Sequence, residues 1–104
     1  MQIIPTQAVP SQVLTALLGN QACEIKIYQR SLGLFCDLLV NGALIIGGVI
    51  CENRNRIVRS VYLGFSGDLM FIDTQGNADP IYTGLGTQFV LAYLAADELP
   101  AGRG

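Results

Sequence analysis

The sequence has no histidine, and it has few charged residues of either sign. The absence of histidine removes the most common general base, the usual partner in catalytic triads and the commonest metal ligand. Charged residues make up 13% of the 104 residues, whereas a soluble domain usually has about 25%. The formal net charge of −2 disfavours electrostatic binding to the phosphate backbone of a nucleic acid, because such binding needs clustered Lys and Arg. The composition therefore disfavours most hydrolytic enzymes and most nucleic-acid-binding proteins.

A hydrophobic run long enough to span a membrane is also missing. The most apolar stretch, Leu38–Ile50, has thirteen residues, whereas a membrane-spanning helix needs about 20. Within it, the pairs Asn41-Gly42 and Gly47-Gly48 would weaken a helix. The opening Met1–Pro5 lacks the charged and apolar regions of a secretory signal. We therefore expect the protein to be made and kept in the cytoplasm.

The three cysteines, Cys23, Cys36 and Cys51, cannot all pair within one chain. Their spacings match no zinc knuckle, and three thiols without a histidine would need a carboxylate to complete a zinc site. We predict that they are small buried apolar residues and that the protein binds no metal and no other cofactor.

The abundant residue types predict a single globular domain. Hydrophobic residues make up 51% of the chain, and seven Gln and five Asn solvate a surface without charging it. This composition excludes a disordered chain, and the length fits one domain rather than two. We predict an all-β domain over residues 1–95, followed by a flexible C-terminal tail over residues 96–104.

Turn signals recur every eight to twelve residues, and the apolar pattern between them has period two. This pattern predicts an antiparallel all-β fold, a small barrel or sandwich of about six to eight strands. The predicted strands are Gln12–Leu18, Ala22–Gln29, Leu34–Val40, Ala43–Ile50, Ser60–Phe65, Leu69–Asp73 and Gln88–Ala95.

Several turns can be predicted from residue type. Asn41-Gly42 predicts a type I′ hairpin, and Gly19-Asn20 also tolerates positive φ. The strands on either side of Asn41-Gly42 are apolar at nearly every position, so we expect a second sheet or another subunit to cover both faces. Gly47-Gly48 predicts a bulge, and Ser66-Gly67-Asp68 predicts a second hairpin.

Two patterns that could carry chemistry have simpler explanations. Asp68, Asp73 and Asp79 could form a carboxylate pair, but aspartate in turns is normally a solvated residue that caps its own backbone. The run Gly84-Leu85-Gly86 lacks the third glycine of a phosphate loop and precedes a strand, so both glycines are expected to supply positive φ. We predict no catalytic and no cofactor-binding residues.

The one basic cluster contains Arg54, Arg56 and Arg59. A small β-barrel can combine such a cluster with stacking aromatics to bind single-stranded nucleic acid. The candidate aromatics are Tyr28, Tyr62 and Tyr82. Because the net charge opposes this function, a protein interface or intramolecular salt bridges explain the arginines better. A free-standing binding module for single-stranded nucleic acid or a small ligand is the alternative function.

The charge deficit leaves much of the surface of a small domain apolar or amide-rich, and such surfaces usually contact partners. We therefore expect an obligate subunit of a larger assembly. One edge strand should pair with a neighbouring protein, and the first or the last strand is the expected candidate.

A series of short strings, in a fixed order from Met1 to Leu94, resembles a known family. The strings are Ile3–Thr6, Val40–Leu44, Gly47–Cys51, Asn55–Arg59, Tyr62–Phe65, Gly67–Leu69, Asp73–Gly76, Asp79-Pro80, Tyr82–Gly86 and Tyr93-Leu94. Together they resemble the cyanophage baseplate plug family, small structural proteins of tailed phages. Cys36 and residues 96–104 lie outside this pattern.

The resemblance implies a non-enzymatic component of a contractile phage tail, located in the virion at the baseplate near the central hub and tube. Its expected partners are hub, tube or wedge proteins and copies of itself in a symmetric assembly, formed in the host cytoplasm. The family transfers no catalytic, cofactor or metal residues. We expect the contacts to involve exposed polar and aromatic residues, and local stabilisation of loops is the competing explanation for them. These residues are Arg54, Arg56, Arg59, Tyr62, Asp79 and Tyr82.

Overall fold

Seven β-strands form two antiparallel sheets in the computed structural model, which describes residues 1–59 and 65–98. One sheet has the strand order β2-β3-β4-β5, and the other has the order β1-β7-β6. The strands are β1 (Gln2–Ile4), β2 (Ser11–Leu18), β3 (Gln21–Arg30), β4 (Gly33–Val40), β5 (Ala43–Ile50), β6 (Asp68–Asp73) and β7 (Phe89–Leu94).

The two sheets pack face to face around one hydrophobic core. Alternate residues of β2, β3 and β4 point into it, as the period-two pattern predicts. The buried side chains come from β3 and β4 on one side and from β6 and β7 on the other: Cys23, Ile25, Ile27, Leu34, Cys36, Leu38, Leu69, Phe71, Phe89 and Leu91. The fold is therefore a β-sandwich, and the prediction of a single all-β domain is confirmed.

Two turns predicted from residue type, at Asn41-Gly42 and Gly19-Asn20, are confirmed as hairpins. Asn41 and Gly42 have φ of 53° and 82°, and Gly19 and Asn20 have φ of 55° and 61°. Positive φ at both central residues gives the type I′ twist that matches the flanking strands. The bulge predicted at Gly47-Gly48 is also present, because Gly48 has φ of 67° and the register between β4 and β5 shifts in this region.

One strand is missing from the prediction. The first strand, β1, was missed because it has only three residues and pairs with the distant β7, which a local pattern cannot reveal. The hairpin predicted between Ser60–Phe65 and Leu69–Asp73 involves residues that the structure does not describe. Within the described residues, one edge of β6 pairs with β7, and the other bonds to residues 53–57. Residues 60–64 of that predicted strand lie outside the described residues, and Phe65 is not in a strand.

The outer face of β5 is not covered by the second sheet, since Leu44 is 64% exposed and Ile50 is 38% exposed. The alternative expectation, that another subunit covers this face, stays a prediction. The last strand also cannot be the edge strand that pairs with a neighbour, because β7 lies in the centre of its sheet.

The loop before β7 contains a 3-10 helix, Tyr82–Gly84, and only one of the two glycines in Gly84-Leu85-Gly86 has positive φ. Gly86 has φ of 85°, whereas Gly84 lies so close to the Phe89 ring that a Cβ would come within 2.7 Å of it. Gly84 is therefore explained by close packing rather than by backbone conformation. After β7, a second 3-10 helix spans Ala96–Glu98, at the start of the predicted tail, and residues 99–104 lie outside the described part of the chain.

Substituting Gly86 with alanine should destabilise the protein more than substituting Gly42. Both glycines have similar φ, 85° and 82°, so both variants incur a left-handed strain of about 1–2 kcal/mol. At Gly86, however, a Cβ would lie 2.5 Å from the carbonyl oxygen of Thr6, whereas nothing lies within 4 Å at Gly42. Overpacking should add about 1–3 kcal/mol to the loss in Gly86→Ala. Urea unfolding of both variants measures the difference, and equal losses would contradict this account of Gly86.

Candidate functional site

The site around the arginines is built on a buried carboxylate. Asp68 is 0% exposed, and its Oδ1 accepts hydrogen bonds from the backbone N–H groups of Ile57 (3.1 Å), Val58 (2.8 Å) and Leu69 (2.7 Å). Its Oδ2 accepts a bond from the N–H of Arg59 at 2.9 Å. The prediction that Asp68 is a solvated turn residue is wrong. Its carboxylate instead holds three successive residues of a neighbouring segment.

That segment, residues 53–59, is hereafter the arginine segment, and it runs along the open edge of β6. Arg54 donates its backbone N–H to the carbonyl of Phe71 at 2.8 Å, and Ile57 donates its N–H to the carbonyl of Leu69 at 2.9 Å. Arg54 and Arg59 have φ of 61° and 66°, a left-handed conformation that is costly for residues with a Cβ. Such conformations persist only where the surrounding bonds enforce them, as the bonds from β6 and Asp68 do here.

Asp73 and Asp79 fix the loop that adjoins the arginine segment. The Asp73 carboxylate accepts backbone N–H bonds from Gln75 and Ala78, both at 2.8 Å, so this residue caps its own loop as predicted, although it is buried. The Asp79 carboxylate accepts the N–H of Asn53 at 3.0 Å, and the Asn53 side chain accepts the N–H of Asp73 at 2.8 Å. Asn53 therefore links the loop to the arginine segment, a role that sequence reasoning missed.

The side chains of Arg54, Arg56 and Arg59 have no acidic partner within the described residues. Arg54 and Arg59 are exposed, and the Arg59 Nε donates to the carbonyl of Arg56 at 2.5 Å. Arg56 is half-buried, and its Nη1 is a buried atom with no hydrogen-bond partner in residues 1–59 and 65–98. The ion pairs within these residues involve only the amino group of Met1 with Glu98 and Lys26 with Glu24. The proposed intramolecular salt bridges are therefore absent from this part of the chain.

The structure brings only some of the other predicted contact residues close to the arginine segment. Asp79 is exposed and lies beside the arginine segment through its bond to Asn53. Tyr82 is half-buried against the core, and its N–H donates to the Gln29 side chain at 3.1 Å. Tyr62 lies outside the described residues.

Tyr28, one of the candidate aromatics for binding single-stranded nucleic acid, lies apart from the arginines. Tyr28 lies on β3, in the other sheet, where its ring stacks on Phe35 with centroids 6.1 Å apart. The guanidinium of Arg30 lies 5.0 Å from the Tyr28 ring centroid. Tyr28 therefore lies on a different sheet from β6, along which the arginine segment runs, and Tyr82 lies in a 3-10 helix.

The cysteines offer no reactive thiol. All three are free and buried, which confirms their prediction as core residues. The Cys51 thiol and burial raise the pKa of Cys36 well above its ordinary value, and burial raises the pKa of Cys23. Thiols of this kind stay protonated near neutral pH and are poor nucleophiles and poor metal ligands. Over the described ranges, no three His, Cys, Asp or Glu side chains are placed to hold a metal ion.

A shallow, open depression of about 460 Å³ lies on the four-stranded sheet. Its lining is mostly apolar and contains no basic side chain. The lining residues are Thr15, Ala16, Leu17, Ala22, Cys23, Glu24, Asn41 and Gly42. Because it has no basic side chain, this lining provides no positive charge to bind a phosphate group. No helix in the described residues has the length and apolar character needed to cross a membrane.

A comparison with protein families finds one match that spans nearly the whole chain. The model of the family described as "Cyanophage baseplate Pam3 plug gp18" matches residues 1–97. The match includes the arginine segment, the loop fixed by Asp73 and all seven described strands. No curated protein matches the chain.

Removing the Asp68 carboxylate should destabilise the arginine segment and the fold. Asp68→Ala leaves several buried N–H groups unpaired, and each costs about 1–3 kcal/mol, so we expect a loss of at least about 3 kcal/mol. Asp97→Ala is the matched control, because Asp97 is exposed and its loss should stay within about 0.5 kcal/mol. Urea unfolding gives both values. Hydrogen exchange at Val58 and Arg59 should accelerate in Asp68→Ala, and unchanged exchange would contradict the role of this carboxylate.

Acid should weaken the loop that Asp73 holds. The N–H of Gln75, followed by that of Ala78 and the Gln88 amide, holds the pKa of Asp73 below its ordinary value. Because the folded pKa lies below the unfolded value of about 3.9, this stabilisation is present above that pH and is lost as pH falls through the folded pKa. Unfolding measured between about pH 5 and pH 2 should show a smaller decline in stability for Asp73→Asn than for the wild type, whereas Asp97→Asn should retain the full decline. Identical declines would contradict this assignment.

Proposed function

Because this chain belongs to the cyanophage baseplate plug family, we propose that it is a non-enzymatic subunit at the central hub and tube of a contractile tail. The family makes the chain a structural protein of the phage tail, located in the virion baseplate, where it contacts other baseplate proteins. The location within the baseplate, the contact residues and assembly in the host cytoplasm are the parts that we propose. The family match is the observation that carries the function.

The proposed contact surface is the arginine segment. Two exposed guanidinium groups, of Arg54 and Arg59, are presented on a backbone that Asp68 and β6 hold in place. A fixed backbone lowers the entropy that is lost when a partner binds. Arginine forms paired hydrogen bonds with carboxylates, so the partner surface should carry Asp or Glu side chains. A hub, tube or wedge protein with an acidic patch fits this surface.

Arg56 contributes differently. Its buried Nη1 lacks a hydrogen-bond partner in the described parts of the chain, and an unpaired buried donor is costly. A partner carbonyl or carboxylate that reached this atom would remove that cost when the complex forms. Asp79 and Tyr82 are further proposed contacts beside the segment, and Tyr62, which lies outside the described residues, completes the set.

Reversing the charge at Arg54 should block incorporation into tails without unfolding the subunit. Arg54 is the best position for this test, because its exposed side chain makes no hydrogen bond within the described residues. Arg56→Glu would in addition place a carboxylate where the Nη1 atom of Arg56 is buried. We expect Arg54→Glu to lower the amount of subunit in purified particles at least about tenfold, as the loss of an interfacial charge pair can do. Its urea midpoint should match the wild type.

Two controls separate an interface from loop stabilisation. Arg54→Gly removes the side chain and introduces a residue that adopts positive φ without strain. This variant should therefore unfold no more easily than the wild type and still reduce incorporation. Arg30→Gln changes an exposed arginine on the other sheet and should leave incorporation unchanged. Wild-type incorporation of Arg54→Glu would contradict the proposed contact. A photo-cross-linker at position 54 should capture a hub, tube or wedge protein, and capture of a sheath or fibre protein alone would contradict the proposed location.

A further inference from the structure

The edges of the two sheets differ in how they are protected. In the three-stranded sheet, β1 has only three residues, and the arginine segment covers part of β6. In the four-stranded sheet, the edge strand β2 has eight residues and pairs with β3 over its whole length without a shift in register. The other edge strand, β5, is interrupted by the bulge at Gly47-Gly48. β2 is therefore the longest regular edge in the part of the chain that the structure describes.

The backbone groups along this edge can be assigned from the ladder. Gln29 donates its N–H to the carbonyl of Pro10 at 2.8 Å, and Leu18 and Gln21 close the two-residue hairpin. In an antiparallel pair, hydrogen-bonded positions alternate with non-bonded ones, so the even-numbered residues of β2 bond to β3. The N–H and C=O groups of Val13, Thr15 and Leu17 consequently point away from the sheet. No hydrogen bond from another described residue reaches them.

The side chains of β2 do not protect this edge. Natural edge strands are usually protected by charges, proline or a bulge, and Ser11–Leu18 has none of these. On the outer face, Val13 is 59% exposed and Leu17 is 66% exposed. Thr15 lies midway between them, also exposed, and the half-buried Leu14 and Ala16 lie on the inner face. An uncharged edge with apolar residues on both faces is a template for another strand.

We infer that β2 pairs with β2 of a second copy of this chain, antiparallel and across a two-fold axis at Thr15. In this register Val13 lies opposite the partner's Leu17, and Thr15 lies opposite the partner's Thr15. On the inner face, Leu14 lies opposite the partner's Ala16, which sets a large side chain beside a small one. The outward N–H and C=O groups fall in the hydrogen-bonded positions of such a ladder.

The strand that pairs with β2 comes from a second copy of the chain because β2 is complementary to itself in this register. The two exposed apolar side chains are equally far from Thr15 along the strand, so each covers the other across the two-fold axis. Paired threonines can exchange hydrogen bonds at the centre, and apolar cross-strand pairs stabilise a sheet. An isologous interface of this kind closes as a dimer and joins two four-stranded sheets into one. The inference extends the proposed function and does not depend on the arginine segment.

Placing a charged residue at position 15 tests both whether β2 forms the interface and whether Thr15 lies on the two-fold axis. Sedimentation equilibrium of the purified wild type over a concentration series should show a dimer, twice the 11.1 kDa of one chain. Thr15→Lys and Thr15→Glu each place like charges directly opposite one another, and each should raise the dimer dissociation constant at least about tenfold. Mixing the two variants should restore dimers, because the opposed charges then attract. Thr83→Lys, at an exposed threonine away from β2, should dimerise like the wild type.

Each other outcome overturns the inference. A wild type that stays monomeric up to about 1 mM is incompatible with pairing between copies. If it nevertheless loses incorporation into tails when Thr15 is changed, β2 pairs with a different tail protein. Dimers that persist in Thr15→Lys place the interface elsewhere, and failure of the mixed variants to dimerise rejects the register. Because these readouts use the isolated protein, they are independent of the particle assays with Arg54→Glu.

Discussion

The bonds from the Asp68 carboxylate to the backbone of residues 57–59 are the interaction on which the candidate site depends. β6 accepts two further backbone N–H bonds from the arginine segment, but these stop at Ile57. Beyond that point the chain continues as Val58 and Arg59, and Asp68 is the group that holds their N–H donors. A buried carboxylate is stable only when it is well hydrogen-bonded, and Asp68 meets this condition with four backbone N–H groups. The same bonds therefore satisfy the buried charge and fix the exposed arginines.

The fold could be predicted from the sequence where its signals are local. The hairpins at Gly19-Asn20 and Asn41-Gly42 follow from the positive φ that type I′ turns require, and alternation places Ile25, Ile27 and Leu38 in the core. β1 could not be predicted in this way, because its pairing with β7 joins residues about ninety positions apart in the chain. The described partners of β6 could not be predicted for the same reason, since its pairing with β7 and its bridges to Asn53 and Arg56 are decided by tertiary packing.

The candidate site was harder to predict than the fold. The arginine cluster is visible in the sequence, but aspartate beside glycine is usually a solvated turn residue, and that rule misassigned Asp68. The signal that separates the two cases is whether donors from a distant segment reach the carboxylate, and residue type does not contain it. Asn53 was missed for a related reason. Its side chain and its N–H bond to two different residues of the Asp73–Asp79 region, which only the folded chain brings together.

The acidic residues also explain why net charge is a poor guide to this surface. Five of the eight acidic side chains accept backbone N–H groups of their own chain: Asp37, Asp68, Asp73, Asp79 and Glu98. Their negative charge is directed at backbone donors, so it does not pair with the arginine side chains. Arg54 and Arg59 are therefore exposed without an ion-pair partner in the described residues, although the formal net charge of the chain is −2. Because these guanidinium groups have no acidic partner in the described residues, they fit the acidic partner surface that we propose.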